Sequence, residues 1–88
     1  MRTYLLKITS PEGDIFSDNV AMLSVRGTEG NLAIMAGHIP FVSYVKPCDA
    51  KILFENGEEK VGTLSGGVLV VSPEKTILLS GDFSWKEE

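Results

Sequence analysis

The chain has 88 residues, of which 43% are hydrophobic and 23% charged, and its formal net charge is −4. Its length favours a single domain over residues 1–88, and its composition is that of a globular chain and argues against disorder. Twelve acidic residues against eight basic ones argue against a nucleic-acid partner, and a single cysteine, Cys48, rules out an intrachain disulfide and multi-cysteine zinc sites.

The first elements are two predicted strands joined by a turn. The residues from Tyr4 to Thr9 alternate, which places Tyr4, Leu6 and Ile8 on one face. A turn at Pro11-Glu12-Gly13 then leads into a second strand through Ile15 and Phe16. The segment becomes polar too early for a signal peptide, and no apolar run in the chain approaches the roughly 18–20 residues of a membrane span. We therefore expect any membrane association to be indirect.

A third strand is predicted from Val20 to Arg26, where apolar residues alternate again. The side chains expected on its inner side are Ala21, Leu23 and Val25, and those expected on its other side are Met22, Ser24 and Arg26. This pattern is typical of a half-buried strand.

The segment RGTEGNLAIMAGHIP, residues 26–40, contains three glycines, a proline and the only histidine of the chain, His38. Gly27, Gly30 and Gly37 are candidates for positive φ or for close backbone approach, where a Cβ would clash. A brief strand through Leu32 and Ile34 is predicted between them. His38 therefore lies in a loop of specified backbone geometry.

The C-terminal half predicts further short strands. One runs from residue 41 to 46 and is stopped by Pro47, and a hairpin of residues 50–54 and 59–64 closes around Asn56-Gly57, a pair that favours a type I′ turn. Residues 68–71 and 76–79 are continuously apolar, so we expect these two strands to be central and buried on both faces.

Together these elements predict an all-β fold, a two-layer antiparallel β-sandwich of about eight to ten short strands. A partly open barrel is the alternative. The aromatic side chains fall at strand positions, without interleaved arginines, and are expected in the core: Tyr4, Phe16, Phe41, Tyr44, Phe54, Phe83 and Trp85.

The sequence predicts no catalytic, cofactor or metal site. His38 has no second histidine to share a metal, and Cys48 has no neighbour that marks it as an activated thiolate. Neither glycine-rich segment has the pattern of a phosphate loop. The acidic residues are expected to be solvated in turns: Glu12, Asp14, Asp18, Glu29, Glu55, Glu58 and Glu59.

Two alternatives of other function classes remain open on the residues alone. A free-standing carbohydrate- or ligand-binding β-sandwich would need a concave face lined by aromatic side chains. A small hydrolase would need His38 within hydrogen-bond reach of a turn carboxylate.

Three motifs resemble those of one family. RGTEGNLAIMAGHIPFVSYVKP resembles the GxEGxxxIxxGHxPxxxxxKP signature of the epsilon subunit of rotary F-type ATP synthases, which is called delta in mitochondria. LSGGVLVVSPEKTILLSGD resembles the later strand pair of that family, and IFSDNV resembles its MFSGxV. The match covers residues 4–82, the part that forms the N-terminal β-sandwich in the family.

This resemblance implies a rotor subunit of the central stalk, which links the gamma subunit to the membrane ring of c subunits and supports ATP synthesis driven by an ion gradient. It implies a peripheral position at the cytoplasmic face of the bacterial inner membrane. Family members usually continue into two C-terminal helices credited with inhibition and, in some members, ATP binding. SGDFSWKEE replaces the usual transition, so we expect the helical hairpin to be absent and do not carry over those two activities.

The resemblance also implies interface residues. The c-ring contact would involve Glu29, Gly30, Asn31 and His38, although position 31 is frequently acidic in relatives. The gamma contact would involve Ser10, Val20, Met22, His38, Ser43, Val68 and Val70. We further expect an exposed apolar patch on one face, formed partly by Val20, Met22, Val68 and Val70, which gamma would cover.

Overall fold

The computed structural model of the protein describes residues 2–86. Ten strands and no helix lie in this range. The strands are β1 (Tyr4–Ser10), β2 (Gly13–Val20), β3 (Met22–Gly27), β4 (Gly30–Met35), β5 (Phe41–Val45), β6 (Cys48–Leu53), β7 (Glu59–Leu64), β8 (Gly67–Val71), β9 (Lys75–Leu79) and β10 (Ser84–Trp85). The all-β prediction is confirmed, and where strand bounds were predicted they lie within about two residues of those observed, but β10 was not predicted.

The strands form one continuous hydrogen-bonded path that folds into two halves. Its order is β10-β7-β6-β3-β5-β8-β9-β1-β2, and β4 pairs with β3 off this path. The half with β3, β4, β6, β7 and β10 is joined to the other half by a single residue pair, Gly27 with Val45. The sheet turns back on itself at this point, which gives the predicted two-layer β-sandwich.

One strand pairing departs from the predicted antiparallel pattern. β1 and β9 run parallel, with Leu6 opposite Thr76 and Ile8 opposite Leu78. Parallel neighbours need a long connection between them, and here the rest of the chain supplies it, since β1 comes first and β9 is the ninth strand. The expectation of purely antiparallel pairing is therefore wrong at this position.

The core lies between the two halves and consists of the alternating inward side chains of both. Its fully buried members come from seven strands, so no single hairpin forms it. The largest are Leu6, Ile8, Val20, Leu23, Ile34, Ile52, Leu69 and Leu78.

The predicted strand from residue 20 to 26 is interrupted by a bend at Ala21. The Ala21 N–H donates to the carbonyl of Leu53, and both Val20 and Ala21 are buried, with Val20 fully enclosed. Alternation resumes only at Met22. Since two consecutive residues face the core at the bend, the sequence pattern put Val20 on the wrong face.

The hairpin between β6 and β7 is confirmed, but its turn is not type I′. The N–H of Gly57 donates to the carbonyl of Phe54 at 3.0 Å, and the N–H of Phe54 donates to the carbonyl of Glu58 at 2.8 Å. Gly57 is the one residue of this loop with positive φ, at 91°. The loop therefore has three residues, Glu55 to Gly57, and a three-residue loop needs one left-handed position rather than two.

Four aromatic side chains close the sandwich where its two ends meet, and we call Phe16, Phe54, Phe83 and Trp85 the aromatic corner. Phe16 contacts Phe54 and Trp85 with ring centroids 6.0 and 5.6 Å apart, and Phe83 contacts Trp85 at 5.0 Å. All three pairs are edge-to-face, which the ring quadrupole favours. A Cβ at Gly62 would collide with the Phe83 ring, so this glycine makes room for the corner.

Candidate protein interface

An exposed apolar surface covers the outer side of β5, β8 and β9. Paired residues on neighbouring strands share a face, and here Val42 lies opposite Val70 and Tyr44 opposite Val68. β9 extends both rows. We call this surface the outer apolar face, and its members are Val42, Tyr44, Val68, Val70, Ile77 and Leu79.

The exposure of this face is unusual for apolar side chains that are next to one another. Val42 is 68% exposed, Tyr44 72% and Leu79 43%, and the other three members are half-buried. Contiguous exposed apolar patches typically mark sites of protein association. The outer apolar face is therefore the strongest interface candidate within residues 2–86.

Polar residues form the border of the face on the β1 side. Lys7 and Thr9 lie opposite Ile77 and Leu79. Lys7 pairs with Asp14 of β2 at 3.3 Å. An apolar centre beside a polar rim is the usual anatomy of a protein interface.

The predicted gamma-contact residues divide between the outer apolar face and other places. Val68 and Val70 are on the face, but Val20 is in the core and cannot contribute to an exposed patch. Met22 lies on the outer side of the other half, opposite Met35 and Leu53. The predicted membership of the patch is therefore wrong for Val20 and Met22.

Ser43 is not on this face, and Ser10 lies at its edge, where it lines a surface cavity with Leu79. Ser43 is opposite the fully buried Leu69, so it is on the inner side of β5, and its hydroxyl donates to the Tyr44 carbonyl at 3.0 Å. Ser10 is half-buried at the end of β1, where its hydroxyl donates to the Gly13 carbonyl at 3.2 Å.

The central strands β8 and β9 are less buried than the sequence predicts. Their place in the middle of the second half is as expected. Leu69, Val71, Thr76 and Leu78 are buried, whereas Val68, Val70 and Ile77 are half-buried and Leu79 is exposed. The continuous apolar runs of β8 and β9 therefore have a buried inner side and a partly exposed outer side, whereas the sequence predicted that both sides are buried.

The glycine-rich turn between β3 and β4 is a second exposed feature. Thr28 and Glu29 connect Gly27 to Gly30, which are paired, and Gly30 has a φ of 133°. A Cβ at Gly27 would clash with Leu32. Gly30 therefore needs to be glycine for its backbone angle, whereas the Leu32 side chain could move to admit a Cβ at Gly27. The turn leaves Glu29, Gly30 and the following Asn31 exposed.

His38 is at the opposite end of β4 from this turn. Six strand residues separate them, which is a distance of about 17–20 Å at the usual rise. The ring Nδ1 of His38 donates to the Ile39 carbonyl at 2.9 Å, and the ring lies 5.0 Å from that of Phe41. β4 therefore lies between Glu29 and the loop that carries His38, whereas the ring-contact prediction placed both residues in one contact.

The geometry gives little support to the two alternative functions, a hydrolase and a carbohydrate- or ligand-binding module. The cavity beside His38 has no carboxylate in its lining, and residues 2–86 contain no cluster of three or more metal-ligating side chains. Cys48 is half-buried, and its sulfur accepts the N–H of Arg26 at 3.4 Å. Tyr44 was predicted in the core but is exposed, and the other strand aromatics are at least half-buried, which is unlike an aromatic-lined sugar site.

The sequence did not predict a group of hydrogen bonds around Asp82, near the C-terminus. The Asp82 carboxylate accepts the Ser65 N–H at 3.1 Å and the Ser80 hydroxyl at 3.2 Å. Hydrogen bonding from Ser65, and then from Ser80, holds the pKa of Asp82 below its usual value. The repeated SG steps before β8 and after β9 were the available signal, since they place two turns together at one end of the sheet.

Comparison with known proteins identifies close relatives of the sandwich. The family model for the β-sandwich domain of the ATP synthase delta/epsilon chain matches residues 3–86. The sodium-ion-specific ATP synthase epsilon chain of Acetobacterium woodii is 40% identical over 86 residues. The alignment covers 98% of this chain and 65% of that relative, so the chain spans about two thirds of the relative's length. No helix within residues 2–86 has the length and apolarity to cross a membrane.

Two solved structures share the fold. A chain of the Euglena gracilis mitochondrial ATP synthase matches with a TM-score of 0.88 and 22% identity, over 94% of this chain and 53% of that one. A chain of the Tetrahymena thermophila mitochondrial ATP synthase central stalk and c-ring matches with a TM-score of 0.77 and 15% identity, over 94% and 66%. At these identities the likeness establishes the architecture.

Proposed function

The chain belongs to the delta/epsilon chain family of ATP synthases, through the β-sandwich domain of that family, and from this membership we propose that it is a central-stalk rotor subunit of an F-type ATP synthase. It links the gamma subunit to the membrane ring of c subunits and has no reaction centre of its own. The complex carries out ATP synthesis, and this subunit transmits rotation within it.

The outer apolar face is the observation that carries this proposal. A freely soluble monomer gains nothing from exposing Val42 and Tyr44 side by side, whereas a partner that covers them removes apolar surface from water. We assign this face to the gamma subunit. It replaces the patch expected from the sequence and retains Val68 and Val70 from it.

The glycine-rich turn is assigned to the ring. Glu29 is exposed at its tip, where its carboxylate can pair with a basic side chain of a c-subunit loop. The Asn31 amide keeps hydrogen bonding at a position that is often acidic in relatives, but it contributes no charge attraction. His38 lies away from this turn and belongs with a gamma contact in the proposal.

A rigid connector suits this role because rotation must pass through it without loss to internal motion. The core joins both layers of the sandwich, and its side chains are close-packed in strands of both halves. In this proposal the subunit is peripheral, at the cytoplasmic face of a bacterial inner membrane, and it reaches the membrane only through its partners.

A pull-down tests the proposal. The tagged chain is incubated with the matching gamma subunit and with the c-ring, separately and together. We expect capture of gamma alone and stronger capture of the ring when gamma is present, because two contacts then act together. Failure to capture either partner, with the chain shown to be folded, would contradict the proposal.

A further inference from the structure

A small cationic cavity lies at the end of the sandwich that holds His38. It has a volume of about 280 Å³, and its polar lining includes Arg2, His38, Ser72, Lys75 and Thr76. Clefts that bind drug-sized ligands are typically about 300–1,000 Å³. This cavity therefore suits a single small polar group rather than a nucleotide or a sugar chain.

The charge of this lining differs from that of four other surface cavities of the molecule. The cavity around Arg26 and Lys51 also contains Asp49, and the one around Trp85 contains both Asp49 and Glu59. A third has Glu29 and no cation, and a fourth has no charged residue. Among these five, the His38 cavity alone combines cationic side chains with no carboxylate, in a chain with a net charge of −4.

The two cations of this cavity are not used in ion pairs within residues 2–86. The ion pairs there join Lys7 to Asp14 and Lys86 to Asp49. Ser72 and Lys75 are tied to each other instead, since the Ser72 hydroxyl donates to the Lys75 carbonyl at 2.7 Å. This bond uses the backbone of Lys75 and leaves its ammonium available.

The Arg2 guanidinium lies next to Gly37 at the edge of the cavity. Gly37 has a φ of 85°, and a Cβ added to it would lie 3.4 Å from Nη1 of Arg2. The guanidinium therefore lies against bare backbone beside His38. The planar fork of a guanidinium can donate two parallel hydrogen bonds to an oxyanion.

The geometry points to a binding site for a free oxyanion of phosphate size in this cavity, with Arg2 and Lys75 as the charged donors. Phosphate fits better than a carboxylate because its larger charge and additional oxygens can engage both cations at once. The inference does not depend on the proposed rotor function, since it concerns the isolated chain.

An NMR titration of the 88-residue chain with inorganic phosphate tests this site, at constant ionic strength set with chloride. The chain has two arginines, so the side-chain N–H signal of Arg26 is an internal control for that of Arg2. We expect a saturable shift of the Arg2 signal and of the Gly37 and His38 amides, with Arg26 unmoved. The variant Arg2→Gln should weaken binding by about tenfold or more, and Arg26→Gln should not change it.

Other outcomes would overturn the inference. These are no saturable shift at Arg2, equal shifts at both arginines, or undiminished binding in both Arg2→Gln and Lys75→Gln. The same spectra report whether each variant is folded, and having two separate variants keeps the test decisive if one of them is not. A parallel titration with acetate should show weaker binding, and equal or tighter binding of acetate would instead favour a carboxylate ligand.

Discussion

The outer apolar face and the aromatic corner are both made of large apolar side chains, but only the corner is covered by the fold itself. Phe83 is 7% exposed and packs edge-to-face on Trp85, whereas Tyr44 is 72% exposed and sits on an open sheet surface. The corner joins the two ends of the sandwich, so its side chains stabilise the folded state. The face joins nothing within the chain, so its side chains are free to stabilise an association.

The largest expected effect comes from breaking the corner. Phe83→Ala removes a buried ring that also contacts Gly62, and it should lower the free energy of unfolding by about 3–5 kcal/mol. Tyr44→Ala, the matched truncation on the face, should change it by about 0.5 kcal/mol or less. Urea denaturation measures both. Similar losses for the two variants would remove the distinction between the regions.

A pair of hydroxyl deletions sharpens the same comparison. The Tyr4 hydroxyl donates to the Ile34 carbonyl at 2.8 Å, and burial raises the pKa of this hydroxyl. Tyr4→Phe leaves the carbonyl without its donor and should cost about 1 kcal/mol, while Tyr44→Phe on the exposed face should cost almost nothing. Thermal unfolding of both variants checks this, and a stable Tyr4→Phe protein would mean that water replaces the bond.

Glu29→Lys tests a residue outside both regions. Its side chain is exposed in a turn, so the free energy of unfolding should change by no more than about 0.5 kcal/mol. Association with the c-ring, measured by co-sedimentation in the presence of gamma, should weaken more than folding does, because in the proposed contact the new charge would face basic ring side chains. Glu29→Gln is the milder control. Equal loss of folding and binding would exclude the turn as a ring contact.

The smallest effect on stability is expected from the hydrogen bonds of Asp82, and it appears only at acid pH. Because hydrogen bonds to Ser65 and Ser80 lower the pKa of Asp82 in the folded state, its contribution is complete above the unfolded value of about 3.9. That contribution is lost as the pH falls through the lower, folded value. The stability of Asp82→Asn should therefore decline less steeply with acid than that of the parent chain. If stability falls equally steeply with acid in both proteins, these hydrogen bonds do not stabilise the fold.

The sequence predicted the fold well because most of its strands are amphipathic. Alternation in β1 and β3 gave the inner residues Leu6, Ile8, Leu23 and Val25 correctly. It failed where the chain bends: Ala21 breaks the period of two, so Val20 turns inward. The sequence also did not predict the parallel pairing of β1 with β9, because the residues of a strand do not show which distant strand it pairs with.

The candidate interface was harder to predict for a related reason. β5 reads FVSYV, which is mostly apolar on both sides, so periodicity does not show that Phe41 and Val45 face inward while Val42 and Tyr44 face outward. Gly30 and Gly37 have the predicted positive φ, whereas Gly27 does not, and its closest neighbour is the Leu32 side chain. Motif resemblance picked out the glycine-rich turn. It could not show that β4 separates that turn from His38.

The most direct test of the central claim is the affinity of the gamma subunit for two double variants with equal added charge. Val42→Asp/Tyr44→Asp places two carboxylates on the outer apolar face, and Ala33→Asp/Ser84→Asp places two on exposed positions of the opposite outer side. Calorimetric titration should show the first losing about 2 kcal/mol of binding, about 30-fold, with the second close to the parent chain. Unchanged affinity in the first, or equal loss in both, would contradict the account.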